Sequence, residues 1–140
     1  MAAIKAAQKG LKTVCIEKRG TLGGTCINVG CIPSKALLYS SHKYEEASKG
    51  FKELGISTGG LEIDFKQMMR QKEQTVQELT SNIEILFKNN NVDYLKGYGR
   101  FASKGEIEID LLEGGKQKIK AKNTIIATGS TSNHLPGNTI

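Results

Sequence analysis

Tryptophan is absent from the chain, proline occurs twice, and aromatic residues make up only 6%. Arginine is scarce beside lysine. With few stacking platforms and few planar guanidinium forks, nucleic acid is not an expected partner. No apolar run approaches the ~18 residues that cross a bilayer, so no membrane span is expected either. Three cysteines are too few, and odd in number, for a disulfide-stapled secreted domain. Met1–Lys5 is too short and too mixed for a secretory apolar region. Two prolines against 16 glycines leave many places where the backbone can bend or approach something closely.

What is present suits one folded domain. The 140 residues are 38% hydrophobic and 24% charged, enough for a core and too apolar for a disordered tail. The net charge of +6 is unevenly placed. Residues 1–52 carry nine Lys/Arg against three Asp/Glu, and residues 53–140 carry eleven of each. The excess lies beside a stretch rich in glycine and cysteine. It reads either as the surroundings of an anionic ligand such as a phosphate or as a solvated lysine-rich surface.

Residues 2–9 are alanine-rich and predict a helix stopped by Gly10. Residues 12–17 predict a short buried strand, and residues 19–30 a loop with four glycines. A helix is expected from about Cys31–Pro33 to Ser48, with Pro33 in the first turn where no backbone donor is required. Asp64 followed by Gln67 marks the start of another, with Ile63 placed to pack on Met68. Phe65, Met68, Met69, Val76, Leu79, Ile83, Leu86 and Phe87 follow at spacings of three and four, one face of a ~24-residue helix. After Asn89–Asn91 the period becomes two. Residues 106–111 and 118–121 alternate around the Glu113–Lys116 turn and predict a hairpin with one wet face. Residues 123–130 read as a buried strand entering a glycine turn. The tail through Pro136 and Gly137 reads as the start of a linker. There is no internal repeat.

The chemistry concentrates in Gly23-Gly24-Thr25-Cys26-Ile27-Asn28-Val29-Gly30-Cys31-Ile32-Pro33-Ser34-Lys35. Two cysteines separated by four residues can close a small disulfide if the loop brings their Cβ atoms to ~3.8 Å, and Gly30 permits a tight path. Cys31 falls at a helix N-terminus, where free N–H groups favour a thiolate. This describes a redox centre better than a staple. Metal is the rival for these thiols, since the spacing lies at the edge of zinc-ligand patterns, but no second ligand pair exists and only His42 and Cys15 lie nearby. Cys15, between Val14 and Ile16, reads as an inert core thiol. His42 and His134 read as surface or capping residues. Glu17 ends the 12–17 strand, the position at which dinucleotide folds hold a ribose hydroxyl. The partner motif G-x-G-x-x-G is not found in the chain, which begins inside the helix that such a loop would open.

Taken together, these residues resemble the FAD domain of the pyridine nucleotide-disulfide oxidoreductases, along essentially the whole chain. Ile32-Pro33-Ser34-Lys35-Ala36-Leu37-Leu38 favours the dihydrolipoyl dehydrogenase branch. Glutathione and thioredoxin reductase relatives usually carry Lys where Ser34 stands, and mercuric reductases share Pro-Ser-Lys and stay an alternative. The resemblance implies an α/β, Rossmann-like fold with a long helix and an antiparallel β-hairpin or meander insertion. Cys26 would be the outer thiol that exchanges with the dihydrolipoyl substrate, Cys31 the inner thiolate at the flavin, and Lys35 a neighbour of the flavin ring. Glu17 and Lys18 would meet the adenosine ribose. Gly23, Gly24 and Thr25 would pass the pyrophosphate, Gly99 would offer backbone to the adenine, and Thr128, Gly129 and Ser130 would line the FAD from a far strand. The reaction implied runs from dihydrolipoyl domains of 2-oxoacid dehydrogenase complexes through a disulfide and FAD to NAD. It would take place in a homodimer, in the mitochondrial matrix or bacterial cytoplasm.

Against the family pattern, residues 1–140 read as a partial FAD-binding domain. The first strand, the glycine-rich loop, the NAD and dimerisation domains and the His–Glu base are expected outside it. A non-catalytic dithiol redox sensor or metal-binding module built on Cys26 and Cys31 is the alternative from another class.

Overall fold

The structure, a computed structural model, describes residues 1–57, 59–131, 133 and 137. His134 and Pro136 lie outside the described residues, and with them the linker reading of the tail.

Four helices and four strands alternate in the order α1 (Ala2–Gln8), β1 (Thr13–Glu17), α2 (Gly24–Asn28), α3 (Cys31–Lys49), α4 (Phe65–Asn89), β2 (Val92–Ser103), β3 (Glu106–Leu111) and β4 (Lys116–Lys120). One sheet runs β1-β2-β3-β4. β1 and β2 are parallel, so the chain must cross over between them, and α2, α3 and α4 make up that crossover. β2 is long enough to serve two neighbours. Its first half, Val92–Lys96, pairs with β1, and its second half, from Gly97 on, pairs antiparallel with β3. β3 and β4 form the expected hairpin. The α/β architecture with a long helix and an antiparallel meander is thus present.

The elements form for local reasons. Gly10 takes φ +79 just beyond α1, a left-handed stop that costs glycine nothing. At the start of α4, Asp64 accepts the Gln67 N–H at 2.9 Å, the capping bond anticipated from the sequence. The core gathers where the crossover returns to the sheet. Leu22, Phe87 and Val92 are buried together, with Ala3, Ile4, Ala7, Cys15, Ile83 and Tyr94 packed against them. On the hairpin, Ile107 and Ile109 are buried while the residues between them carry charge.

Five expectations need correction. First, residues 123–130 form no strand; Ile125 and Ile126 are 76% and 70% exposed. A strand is stable only with a ladder partner, and none of the described strands pairs with this segment. Second, the loop of residues 19–30 contains a helix, α2, which carries Cys26. Third, β2 was not anticipated as a strand, because glycines at 97 and 99 interrupt its apolar pattern. Fourth, the stripe on α4 is not buried throughout. Phe65 is 64% exposed and Leu86 48%, since the first stands in the first turn and the second on the flank beside buried Phe87. Fifth, the 12–17 strand, read as buried, is half-buried along its length.

Candidate active site

The two conspicuous cysteines sit on successive helices joined by a two-residue break. Asn28 builds the bend that precedes them. Its Nδ2 donates to the Leu22 and Gly24 carbonyls at 3.0 and 2.9 Å, and its Oδ1 accepts from Thr21 Oγ1 at 2.7 Å. One side chain therefore ties three points of the loop together. Gly23 and Gly24 inside that clamp hold φ +107 and +64, angles a β-carbon strongly disfavours. A β-carbon on Gly24 would meet nothing within 4 Å, so its backbone is open to a close visitor. Asn28 was missed in the sequence reading, although an Asn closing a glycine-rich turn is a recognisable signal.

At the break, Gly30 caps α3. A β-carbon there would come to 3.1 Å from the Thr25 carbonyl oxygen, so only glycine lets the start of α3 lie this close to the turn bearing Cys26. Cys26, on α2, and Cys31, the first residue of α3, are both exposed free thiols. The neighbouring Cys31 side chain, followed by desolvation, pushes the Cys26 thiol up from its ordinary value, against the pull of the Cys31 backbone and of Lys35. Cys31 is the first residue of α3, at the positive end of a 19-residue helix, and Lys35 follows one turn later. Ser34 Oγ donates to the Cys31 carbonyl at 3.3 Å.

Cys15 is different. It is half-buried in β1 beside the core, and burial, then the charge of Glu17, pushes its thiol up. Among the described residues no group of three or more His, Cys, Asp or Glu side chains could hold a metal ion. His42, exposed on α3, faces Glu46 at 3.2 Å and Glu45 at 3.9 Å rather than the thiols.

Glu17 stands at the C-terminal end of β1, in the parallel part of the sheet where open α/β folds bind ligands. Its Oε1 accepts the Arg19 N–H at 2.7 Å. Lys18 beside it is exposed. Gly99 lies in β2 opposite Ile109, and a β-carbon there would press on Ile16 at 3.3 Å; packing alone already accounts for a glycine. Thr128, Gly129 and Ser130 are exposed and belong to no strand. The structure thus brings together Gly23, Gly24, Thr25, Cys26, Cys31 and Lys35, with Glu17 at the end of the strand that leads into them. Two open grooves, of about 440 Å³ along the end of α3 and about 640 Å³ between α4 and β2, are lined by other residues.

Over residues 1–139 the chain matches the family described as pyridine nucleotide-disulphide oxidoreductase. The chain belongs to this family. Similar proteins include a leghemoglobin reductase of Vigna unguiculata and a mitochondrial dihydrolipoyl dehydrogenase of Pisum sativum, each 59% identical over all 140 residues. A dihydrolipoyl dehydrogenase of Trypanosoma brucei brucei is 52% identical over 137 residues. The chain spans only 27%, 28% and 29% of these relatives' lengths, respectively. Among solved structures, the HOCl-induced flavoprotein disulfide reductase RclA of Escherichia coli, in its Cu(II) complex, superposes with a TM-score of 0.75. At 24% identity it covers 96% of this chain and 26% of that one, which supports the fold. No described helix is long and apolar enough to cross a membrane.

Proposed function

We propose that the chain is the disulfide-bearing part of the FAD domain of a dihydrolipoyl dehydrogenase, acting on dihydrolipoyl groups of 2-oxoacid dehydrogenase complexes in the mitochondrial matrix. The observation that carries the reading is the placement of two exposed thiols on successive helices across a two-residue break, one of them opening α3. Mitochondrial dihydrolipoyl dehydrogenases at 53–59% identity support the substrate class and the compartment. The NAD site, the dimer contacts and the acid–base residues belong, on this reading, to the parts of the relatives that this chain does not span.

The residues present fit a bound FAD. The Gly24 backbone is open, the Glu17 carboxylate ends a parallel strand, and Cys31 and Lys35 lie on one face of a helix start. Gly23, Gly24 and Thr25 would pass the pyrophosphate, Glu17 and Lys18 the ribose, and Lys35 the flavin ring. Gly99 would offer backbone to the adenine, with Thr128, Gly129 and Ser130 on the far side. FAD, when bound, supplies an acceptor for the electron pair of the reduced thiols.

The chain's own chemistry is thiol–disulfide exchange. In the oxidised form, a substrate thiolate attacks Cys26 Sγ and breaks the Cys26–Cys31 bond. The bond electrons leave on the Sγ of Cys31, the first residue of α3, with Lys35 one turn on. The second substrate thiolate then attacks the substrate sulfur of the mixed disulfide. Cys26 leaves and takes up a proton, for which its raised affinity suits it. The substrate loses two electrons and becomes a cyclic disulfide, and the chain gains them as the dithiol.

The test is stoichiometric. After mild oxidation, peptide mapping should show a Cys26–Cys31 bridge with Cys15 free, and one equivalent of dihydrolipoamide should reduce it. Cys26→Ser should abolish exchange, and Cys31→Ser, given oxidised lipoamide in place of the dithiol, should accumulate a mixed disulfide on Cys26 as its thiolate opens the cyclic disulfide. A bridge through Cys15 as the main species, or stoichiometric zinc on the thiols, would overturn the reading in favour of a dithiol sensor or metal module.

A further inference from the structure

Glu17 and Lys96 are register partners in the parallel pair β1–β2. Partnered residues on neighbouring strands, ~4.8 Å apart, project to the same face, and opposite charges so placed ordinarily pair. Here they do not. Lys96 Nζ lies 3.6 Å from Glu84 Oε1 on α4 and 5.3 Å from the centre of the Tyr94 ring, within cation–π range. The Tyr94 ring is a fixed platform, because Phe87 meets it edge-on with centroids 6.3 Å apart. Burial, then the charges of Glu84, Glu17 and Cys15, pushes the Tyr94 phenol up to about 12, so it stays neutral and offers the ammonium its ring face rather than a charge. Among the described residues, Glu17 is left with one hydrogen bond, from the Arg19 N–H, and no cation.

We propose that Glu84 and Tyr94 form a latch that holds Lys96 off Glu17, so that the Glu17 carboxylate stays free to accept two hydroxyls of a ribose. The chemical reason is competition. A vicinal diol offers two O–H donors to one carboxylate, and a lysine ammonium seated on that carboxylate takes the same lone pairs. β2 brings a lysine to the site through its register, and α4 draws it aside. Glu84, Tyr94 and Lys96 are positioning residues on this view: they act through Glu17 and do not touch the ligand. The inference rests on the reading of Glu17 as a ribose acceptor, and its test keeps the two apart.

Zero-length carbodiimide coupling joins an ammonium to whichever carboxylate it contacts, and mass spectrometry identifies the pair. In the parent chain the Lys96 link should go to Glu84. In Glu84→Gln it should move to Glu17. FAD titrated onto the same proteins should bind about two- to five-fold more weakly to Glu84→Gln, the scale of an exposed ion pair. Affinity should return in Glu84→Gln/Lys96→Met, where no ammonium competes; loss of fold caused by Glu84→Gln would not be rescued in this way. Lys96→Met alone should keep the parent affinity. A Lys96–Glu17 link already dominant in the parent, or absent in Glu84→Gln, overturns the latch. If the link moves as expected but FAD affinity is the same in every variant, the latch stands and the ribose role of Glu17 falls.

Discussion

The neighbouring Cys31 side chain is the first cause that pushes the Cys26 thiol up, while Lys35 pulls the other way. A group whose affinity for protons is raised has less thiolate at any pH below that raised value, so Cys26 in the dithiol form should alkylate slowly at pH 8. Cys31→Ala removes the first cause and should speed iodoacetamide labelling of Cys26 several-fold at that pH. Lys35→Met removes a lowering influence and should slow it. Rates followed by mass spectrometry across pH 7–10 check both, and equal rates in all three proteins would show that neither side chain acts on the Cys26 thiol. The cysteine spacing, and Gly30 as the residue allowing close approach, were legible in the sequence. The influence of Cys31 on the Cys26 thiol was not, because it depends on the orientation of two helices. Asn28 escaped notice for the same reason: its three bonds span residues 21–28 and exist only once the loop has turned.

At the scale of elements, the glycines of β2 show what periodicity hides. A β-carbon on Gly97 would fall 2.6 Å from the Asp110 carbonyl oxygen and 2.7 Å from Ile109 Cγ2. Backbone lies on the blocked side, so the neighbouring strand itself must shift. Gly97→Ala should therefore cost about 1–3 kcal/mol, the range for overpacking, measured by urea unfolding, while Gly114→Ala, with open space around it but φ +95, reports turn strain alone. The sequence reading singled out Gly99 for a ligand and passed over Gly97, which is the site of close strand packing. Helices α3 and α4 were legible because capping and proline signals are local. The strand at residues 123–130 was misread because an apolar run shows what can be buried, not whether a partner is there to bury it.

The hairpin carries its own pH sensitivity. Arg100 on β2 bridges Glu108 and Asp110 on β3, and Lys116 on β4 lies 3.3 Å from Glu108 and 3.5 Å from Asp110. Hydrogen bonds from Arg100 and then Lys116 hold the Glu108 carboxyl below its ordinary value. For Asp110, burial works against ionisation, but the Arg100 bond and the Arg100 and Lys116 charges outweigh it, and the carboxyl also lies low. Depressed folded-state values mean stability that is fully present above the ordinary carboxylate range and is lost as pH falls through the lowered values. The melting temperature should fall between pH 5 and 2, and Arg100→Ala should flatten that dependence by removing the larger partner. High salt should weaken the effect, because the pairs are exposed. Melting curves at several pH values and two ionic strengths decide it.

On the scale of the whole molecule, two unpaired features stand out in one chain. β1 is an edge of the sheet, with backbone groups on its outer side and no ladder partner among the described residues. Residues 124–128 read Thr-Ile-Ile-Ala-Thr, rich in β-branched side chains, uncharged, and exposed at Ile125 and Ile126. The opposite edge, β4, is Lys116-Gln117-Lys118-Ile119-Lys120, whose lysines discourage pairing. β1 and the 124–128 segment lack that protection, and each is what the other would pair with in a second molecule. The 140-residue chain should therefore scatter light increasingly with concentration above tens of micromolar. Ile125→Lys/Ile126→Lys should suppress this while moving the melting temperature little, since neither side chain is buried. If the double variant unfolds instead, the segment packs on the domain in solution; if scattering persists at the parent level, the association runs through another surface, such as exposed Phe65 and Leu86 on α4.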